Sequence, residues 1–523
     1  MNELRHVARW GDPADAVTLS PGVRDLLGSA LGVRGPRPAA ETAELHPSSL
    51  PPAALADLVT ACPRVHTDDA TRLAHAAGKS TEDLLRLRTG RIQDAPDAVA
   101  RPGSHDEVAA LLAACARQHV AVVPFGGGTS VVGGLAARRD GFAGLLALDL
   151  GGLDRLIRVD PVSRTATAEA GLRAPRAERL LNAQGYTLGH FPQSFEYASL
   201  GGFAATRSSG QASAGYGRFD RMVVGLKAAT PVGTVELGRA PESAAGPDLR
   251  QLLLGSEGTF GVITELTLRV RPVPAERHYS GWVFPDFVTG SDAMRSLAQD
   301  GPLPTVLRLS DEAETAINAA TGSGPAGGGG GCLAVVGVEG TKGDVAARSE
   351  ALQARLTALG GTPLGESAGE QWRAGRYRAP YLRDALLDAG ALAETLETAT
   401  FWDRLPQTYA AVREALVATL ADAGTPPLVL CHISHVYDTG ASLYFTVVAA
   451  QADDPVAQWR AAKTAAGEAI AATGATISHH HGVGRDHRPW YGREIGPVGA
   501  AALRGVKEAL DPYGILNPGI LLP

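Results

Sequence analysis

The period of the apolar positions changes several times along this chain, and each change predicts a different element. Up to residue 91, polar helical patches such as residues 68–88 alternate with proline joints at Pro36-Arg37-Pro38 and Pro51-Pro52, which predicts a helical lead-in without visible chemistry. From residue 94 the rhythm becomes strand and helix: residues 98–101 extended, 105–117 an amphipathic helix, and 120–124 a β-branched strand that ends in glycines. Short strands are predicted at 145–150, 156–160, 165–169, 223–229, 232–237 and 261–270. Many are too short for a doubly wound parallel sheet, so the expected class is α+β. The prolines Pro272 and Pro274 deny both a helix and a ladder and mark a boundary. Beyond it, strands at 282–284, 305–309, 332–339 and 444–450, with helices at 291–299 and 344–359, predict an antiparallel sheet backed by helices. The run of glycines at 327–331 precedes a strand with no helix after it and reads as a flexible surface loop rather than a phosphate loop.

Composition narrows the class without naming a function. The chain has 523 residues, 45% hydrophobic and 20% charged, which suits two or three folded domains and neither disorder nor a membrane class. Its net charge of -7 is spread without blocks of one sign, which argues against nucleic acid as a partner. Cys62, Cys115, Cys332 and Cys431 are far apart, lie in no metal-ligand spacing and follow no secretory segment, so reduced thiols and a cytoplasmic location are expected. No apolar stretch reaches the roughly 20 residues of a membrane span.

Three small-residue stretches carry the first chemistry. Pro124, Phe125, Gly126, Gly127, Gly128, Thr129 and Ser130 end a strand in glycines whose N–H groups can converge on an anion, a diphosphate being the natural ligand. The spacing is neither a Rossmann fingerprint nor a Walker loop, because Val131 stands where the former needs glycine and Gly134 where the latter needs lysine. Gly201-Gly202 with Ser208-Ser209-Gly210 form the second stretch and residues 255–261 the third. Together they resemble the FAD-binding domain of the vanillyl-alcohol-oxidase and p-cresol-methylhydroxylase superfamily, whose flavin lies between two α+β subdomains. By that likeness the first stretch wraps the diphosphate. Gln193, Ser194, Phe195, Glu196, Tyr197, Ala198 and Ser199, with Thr206, Arg207, Ser208 and Ser209, line the ribityl chain and isoalloxazine. Glu257, Gly258, Thr259, Phe260, Gly261, Val262 and Ile263 hold the far end. No histidine lies in the first loop, and His105 and His119 read as solvent-exposed, so the FAD is expected to be non-covalent.

The second half points to a subfamily. Residues 430–445 lie where FAD-linked D-lactate and glycolate dehydrogenases carry a His-x-x-Asp-Gly-Asn-x-His metal pattern. His435 and Asp438 remain, but Tyr444 replaces the last histidine, so no catalytic metal is expected. His432 and His435, three apart on a strand, should point to opposite faces. The segment Ser478-His479-His480-His481-Gly482-Val483-Gly484, with a tyrosine in the preceding strand, resembles the alkyldihydroxyacetonephosphate synthase family over nearly the whole chain. That family exchanges the acyl group of acyl-dihydroxyacetone phosphate for a fatty alcohol without net redox. The resemblance implies that flavin N5 bonds the substrate carbon as the carboxylate leaves.

The same resemblance makes Tyr444 the acid/base, for which a phenol of pKa about 10 should be lowered by a cationic neighbour. It makes His479, His480 and His481 the essential histidine run, of which alternation in an extended segment would send at most two to the flavin. A run of three histidines is also compatible with a metal patch or a polar loop. Arg308, a lone cation in an apolar strand, needs an anion, either a structural carboxylate or, by the resemblance, flavin or substrate. Arg383 matches the family's substrate-binding arginine, forking onto phosphate, and otherwise reads as a helix salt bridge. Leu386, Leu387, Leu392 and Leu396, at near-helical spacing, could line an alkyl tunnel but read better as core. The glycine-valine-glycine after the histidines suggests close approach to a ligand.

The expected organisation is residues 1–91 as a helical N-terminal region, 92–273 as a two-subdomain FAD-binding domain, 274–478 as an antiparallel-sheet substrate (cap) domain, and 479–523 as a C-terminal segment returning to the flavin. Expected partners are acyl-dihydroxyacetone phosphate, a long-chain alcohol, a second copy in a homodimer, and peripheral contact with membrane. No long targeting leader is read, so a peroxisomal address is not expected. The ending Asn517-Pro518-Gly519 is one that hydroxyacid dehydrogenases share, and such a dehydrogenase is the alternative reading. A flavin-binding scaffold with a decayed site is the third.

Overall fold

The computed structural model describes residues 7–92, 94–136, 138–321 and 330–523; most of the expected loop at 327–331 lies outside them. Three sheets carry the architecture. The first runs in the order Val65–His66, Ala98–Ala100, Gly144–Asp149, Val120–Phe125, with the last three strands parallel. Val120–Phe125 is apolar throughout because both its faces are covered. Val120 and Val122 pack with Leu58, Leu111 and Cys115 of the helices Pro52–Ala61 and His105–Gln118, while Ala121 and Val123 meet Leu145. His105, expected to be exposed, is half-buried: it opens its helix against the second sheet and places its ring nitrogens 2.8 Å from Thr264 Oγ1 and 2.7 Å from Thr234 Oγ1. His119 is exposed, in the left-handed conformation that caps the helix.

The second sheet is antiparallel, ordered Gly233–Leu237, Val223–Thr230, Val262–Arg269, Thr165–Glu169, Leu156–Asp160. Leu226, Leu266 and Leu268 seal it against Phe203, Phe219 and Met222. The third has seven antiparallel strands, ordered Thr362–Gly365, Glu276–Phe284, Cys332–Gly340, Val306–Ser310, Leu428–Tyr437, Gly440–Ala450, Ala391–Phe401. One face is dry: Leu307, Leu309, Leu443, Phe445 and Val447 pack against Met294, Leu352, Leu416 and Trp459 from four helices. Period-2 alternation then sends Arg308, Ser442 and Tyr444 to the opposite face.

One expectation fails here for a local reason, and another holds. Between Ile433 and Val436 the ladder shifts register, so Ser434 and His435 together oppose one residue of the neighbouring strand. This β-bulge carries Val436 back to the dry core with Ile433 and turns His435 to the same face as His432, not the opposite one. The leucines 386, 387, 392 and 396 do not share a helix: the helix Ala379–Asp388 ends before Leu392 and Leu396, which belong to the strand Ala391–Phe401, and all four are buried core.

The C-terminal segment returns to the first two sheets. Leu516 bridges Val122, Ile515 and Leu516 join the first core, and Ile520 and Leu521 join the second.

Candidate active site

Four adjacent strands lay their polar residues side by side on the open face of the seven-stranded sheet. In register, Glu397 stands beside Tyr444, and Tyr444 beside His432. The Tyr444 ring stacks on His432 with centroids 4.8 Å apart and on His480 at 6.1 Å, and meets His481 edge-on at 5.7 Å. Its hydroxyl donates to Thr395 Oγ1 at 3.0 Å. Burial pushes the phenol up to about 12, with the charges of Glu394 and Glu397 adding to the rise. The Thr395 hydrogen bond and the Arg383 charge pull the other way but do not outweigh burial, so the phenol is not lowered as expected, and at neutral pH Tyr444 holds its proton.

Arg308 finds the structural partner. Its Nη2 donates to Glu314 Oε1 at 2.6 Å, and the other oxygen of that carboxylate takes His432 Nδ1 at 2.8 Å. Burial works against ionising Glu314, but the His432 ring and the Arg308 guanidinium bonded to it hold its carboxyl low. The chain Arg308–Glu314–His432 thus fixes the tautomer and plane of the ring beneath Tyr444.

The histidine run is a turn wrapped around a carboxylate that sequence reasoning missed. Glu397 Oε2 accepts the N–H of His479 at 2.7 Å, and Oε1 accepts those of His480 at 3.1 Å and His481 at 2.9 Å and the hydroxyl of Ser478 at 2.8 Å. Successive N–H groups converging on one anion are possible only in a bent backbone, so the alternation expected of an extended segment does not apply. The three rings lie together, with His479–His480 and His480–His481 centroids 5.2 and 4.6 Å apart. Burial alone would raise the Glu397 carboxyl, yet the rings and N–H donors around it hold it well below the carboxylate range. Burial also pushes the histidines down, His481 to about 4, leaving neutral imidazoles at pH 7. The only sign of Glu397 in the sequence was a carboxylate recurring in an apolar strand.

Arg383 lies one element away, on the helix Ala379–Asp388. Its Nη1 donates to Lys79 O at 2.7 Å, and its nearest carboxylate, Asp384, is 3.9 Å from Nε. Nε and Nη2 are buried without a hydrogen-bond partner among the described residues. A shielded guanidinium with free N–H groups suits a phosphate better than the helix salt bridge, since such groups cost about 1–3 kcal/mol each when left unpaired. The N-terminal region, read as without chemistry, frames this corner: Trp10 N donates to Asp384 Oδ2 at 2.5 Å, and Thr81 N to Glu394 Oε2 at 2.6 Å.

The three glycine-bearing stretches meet at the junction of the first two sheets. A Cβ on Gly126 would lie 2.5 Å from Ser199 Oγ, and one on Gly127 2.4 Å from Tyr197 O, so the first stretch packs directly against residues 197–199, just ahead of the second. Glu257, at φ +50, accepts the N–H of Val483 at 2.9 Å and of Gly484 at 2.8 Å, while Asn517 Nδ2 bridges Gly134 O and Glu257 O. The glycine at 484 answers a close approach of protein, not of ligand: its Cβ would lie 2.0 Å from Val132 O. Side chains within the stretches divide. Phe260, Val262 and Ile263 are packed in the cores, and Arg207 caps the carbonyls of Leu254 and Gln251 at 2.9 Å each, leaving only their backbones to face a cofactor. Phe195 stacks on Tyr377 at 5.6 Å, Gln193 Nε2 donates to Arg376 O at 3.0 Å, and Glu196 is exposed.

Ser209 Oγ, Gln211 Oε1, His190 Nδ1 and Thr259 Oγ1 are buried yet unpartnered among the described residues. A glycine cradle flanked by orphaned polar atoms fits a flat, polar-edged cofactor with a diphosphate tail. FAD is such a group.

Comparison with known proteins agrees. The family described as "FAD binding domain" matches residues 96–238, and "FAD linked oxidases, C-terminal domain" matches 273–521. The chain is 34% identical over 480 residues to the alkyldihydroxyacetonephosphate synthase of Dictyostelium discoideum, covering 87% of this chain and 78% of the relative. With that of Trypanosoma brucei brucei it shares 34% over 486 residues, covering 88% and 78%. A mitochondrial D-lactate dehydrogenase (cytochrome) of Arabidopsis thaliana is 27% identical over 442 residues, covering 82% and 74%. Among solved structures, an alkyldihydroxyacetonephosphate synthase superimposes with a TM-score of 0.85 at 29% identity over 98% of both chains. p-Cresol methylhydroxylase, at 0.65 and 15% identity over 90% of this chain and 98% of that one, shares the fold.

Proposed function

The chain belongs to the alkyldihydroxyacetonephosphate synthase family, and we infer that it is an FAD enzyme exchanging the acyl group of an acyl-dihydroxyacetone phosphate for a long-chain alcohol to give an ether-lipid precursor. The observation that carries this reading is the row of a protonated phenol and neutral imidazoles on the sheet, with a buried guanidinium, Arg383, on the neighbouring helix that keeps two N–H groups without a hydrogen-bond partner among the described residues. Tyr444 stands where the dehydrogenase pattern would place a metal-ligating histidine, which disfavours a hydroxyacid dehydrogenase.

In this reading Arg383 turns its free Nε–H and Nη2–H to the substrate phosphate, the strongest geometry a guanidinium offers. The bound flavin supplies a ring that takes an electron pair and returns it within one turnover, so no net oxidation occurs. Tyr444 donates its proton to the departing carboxylate oxygen, and a neutral imidazole of His480 or His481 takes the proton of the incoming alcohol and returns it to the phenolate. Glu397 holds those rings in place without touching substrate. The chain His432–Glu314–Arg308 orients the floor under Tyr444. Residues 124–130, 193–199, 206–209 and 257–263 hold FAD without a covalent link, the first of them offering no histidine.

Cytoplasmic location fits four free, buried cysteines. Among the described residues no helix is long and apolar enough to cross a membrane, and peripheral contact would bring the alcohol to the site. Homodimer formation and vesicle binding are read by light scattering and flotation.

Purified holoenzyme mixed with acyl-dihydroxyacetone phosphate and labelled hexadecanol tests the reaction. Labelled ether without steady-state flavin bleaching is expected. Stoichiometric bleaching by D-lactate with no ether product would overturn it.

A further inference from the structure

The reacting face holds a nitrogen cluster in which His480 meets two histidines, His435 and His479, to which the proposed chemistry gives no role. His435, His479 and His480 each offer a ring nitrogen, and the three atoms lie within 4.8 Å of one another. They come from two unconnected segments, the bulge of the strand Leu428–Tyr437 and the turn around Glu397, so their convergence is tertiary. His435 and His479 are buried and His480 is partly so.

Two observations point to a ligand. His435 Nδ1 is buried with no hydrogen-bond partner among the described residues, although the backbone N–H of the same residue donates to Ser442 Oγ at 3.1 Å. His479 and His480 face each other through like atoms, Nδ1 to Nδ1 at 3.0 Å, a contact that one shared proton must bridge. A tetrahedral ion with nitrogen ligands at 2.0–2.1 Å has an N···N edge of about 3.3 Å, so an ion replacing that proton needs only a small opening of the pair. The surroundings complete such a site. Tyr437 OH lies 2.6 Å from His479 Nε2, where it orients the ring, and the Glu397 carboxylate, 3.4 Å from His480 Nδ1, balances positive charge. Cys431 faces the dry core, so the donor set is all imidazole, which suits zinc, cobalt, nickel or copper and not magnesium or calcium.

We propose that His435, His479 and His480 form a transition-metal site, and that Zn2+ bound there blocks the ether-forming reaction by engaging the histidine nitrogens. The fourth position is left to water. The blocking effect rests on the function proposed above; the binding rests on geometry alone.

Holoenzyme stripped with EDTA and titrated with Co2+ in a non-coordinating buffer should take up one ion per chain, with tetrahedral Co2+ bands to the red of the flavin absorbance. Zn2+ should displace these bands and abolish ether formation, and EDTA should restore activity. His435→Ala, checked for retained flavin, should bind Co2+ about tenfold or more weakly and lose the bands. Absence of the bands in the wild type, or equal binding by the variant, would overturn the site, and stoichiometric Zn2+ with undiminished ether formation would overturn the blocking effect. Because the cobalt titration needs no turnover, it separates failure here from failure of the proposed reaction.

Discussion

Replacing Glu397 tests whether a buried carboxylate shapes the histidine run. In Glu397→Gln the volume is kept, but the charge that gathers three backbone N–H groups and one hydroxyl is lost, and the new NH2 faces donors. Hydrogen bonds to a charged acceptor contribute about 1.5–3 kcal/mol each, but four on one group are not additive. Removing one partner of a buried charged network costs about 3–5 kcal/mol, which we take for the whole set. At about 1.4 kcal/mol per tenfold, local opening of the turn becomes roughly a hundred to a few thousand times more frequent. Hydrogen exchange of the amides of residues 479–481 should speed up by that factor while the strand Gly440–Ala450 stays protected. Ether formation should fall about a hundredfold, the effect of small misplacement at a reacting centre, with bound flavin retained. Unchanged amide protection would refute the anchoring argument. Lost activity with unchanged protection would instead make Glu397 an acid or base.

Tyr444→Phe removes one hydroxyl from a packed site and should lower kcat by about 10²–10⁴ without changing flavin content; near-normal turnover would remove the phenol from the chemistry. Arg383→Lys keeps the charge but not the fork, so KM for acyl-dihydroxyacetone phosphate should rise about tenfold with kcat little changed, one lost charge-assisted bond being about 1.5 kcal/mol. A fall in kcat alone would place this arginine elsewhere. Glu257, pushed up to about 7 by burial, binds its proton more tightly when folded than unfolded. Its contribution to stability is therefore fully present below about pH 4.5 and lost as pH rises to about 7, by at most about 3 kcal/mol, a slope opposite in sign to that of the buried histidines, whose lowered values cost stability as pH falls. Glu257→Gln should flatten that slope in denaturant titrations; an unchanged slope would assign it to another group.

Much of the site was legible because it lay in local runs. Glycines after Val120–Phe125, the histidine triplet and an alternating tyrosine strand are features of neighbouring residues, readable without contacts. Arg383 was singled out only through resemblance, since its helical surroundings suggest a salt bridge as readily; the fold leaves its Nε and Nη2 without a hydrogen-bond partner among the described residues. Glu397 was overlooked because a carboxylate in a strand has no partner until residues 82–84 positions further on fold back over it. The bulge at Ser434-His435 was equally hidden: one extra residue turns a side chain over, and nothing in the run of apolar neighbours marks it.

The sequence by itself determined the alternation that puts Leu443, Phe445 and Val447 inward and Tyr444 outward, and the placing of glycine where backbones must touch. These follow from period and steric size, which are properties of the chain alone. Tertiary structure decided the protonation of Tyr444, the neutrality of the histidines, and which of them face one another. Those depend on how much water is excluded and which charges arrive from other segments, and both are set only when the strands, the N-terminal region and the returning C-terminus close around the same face.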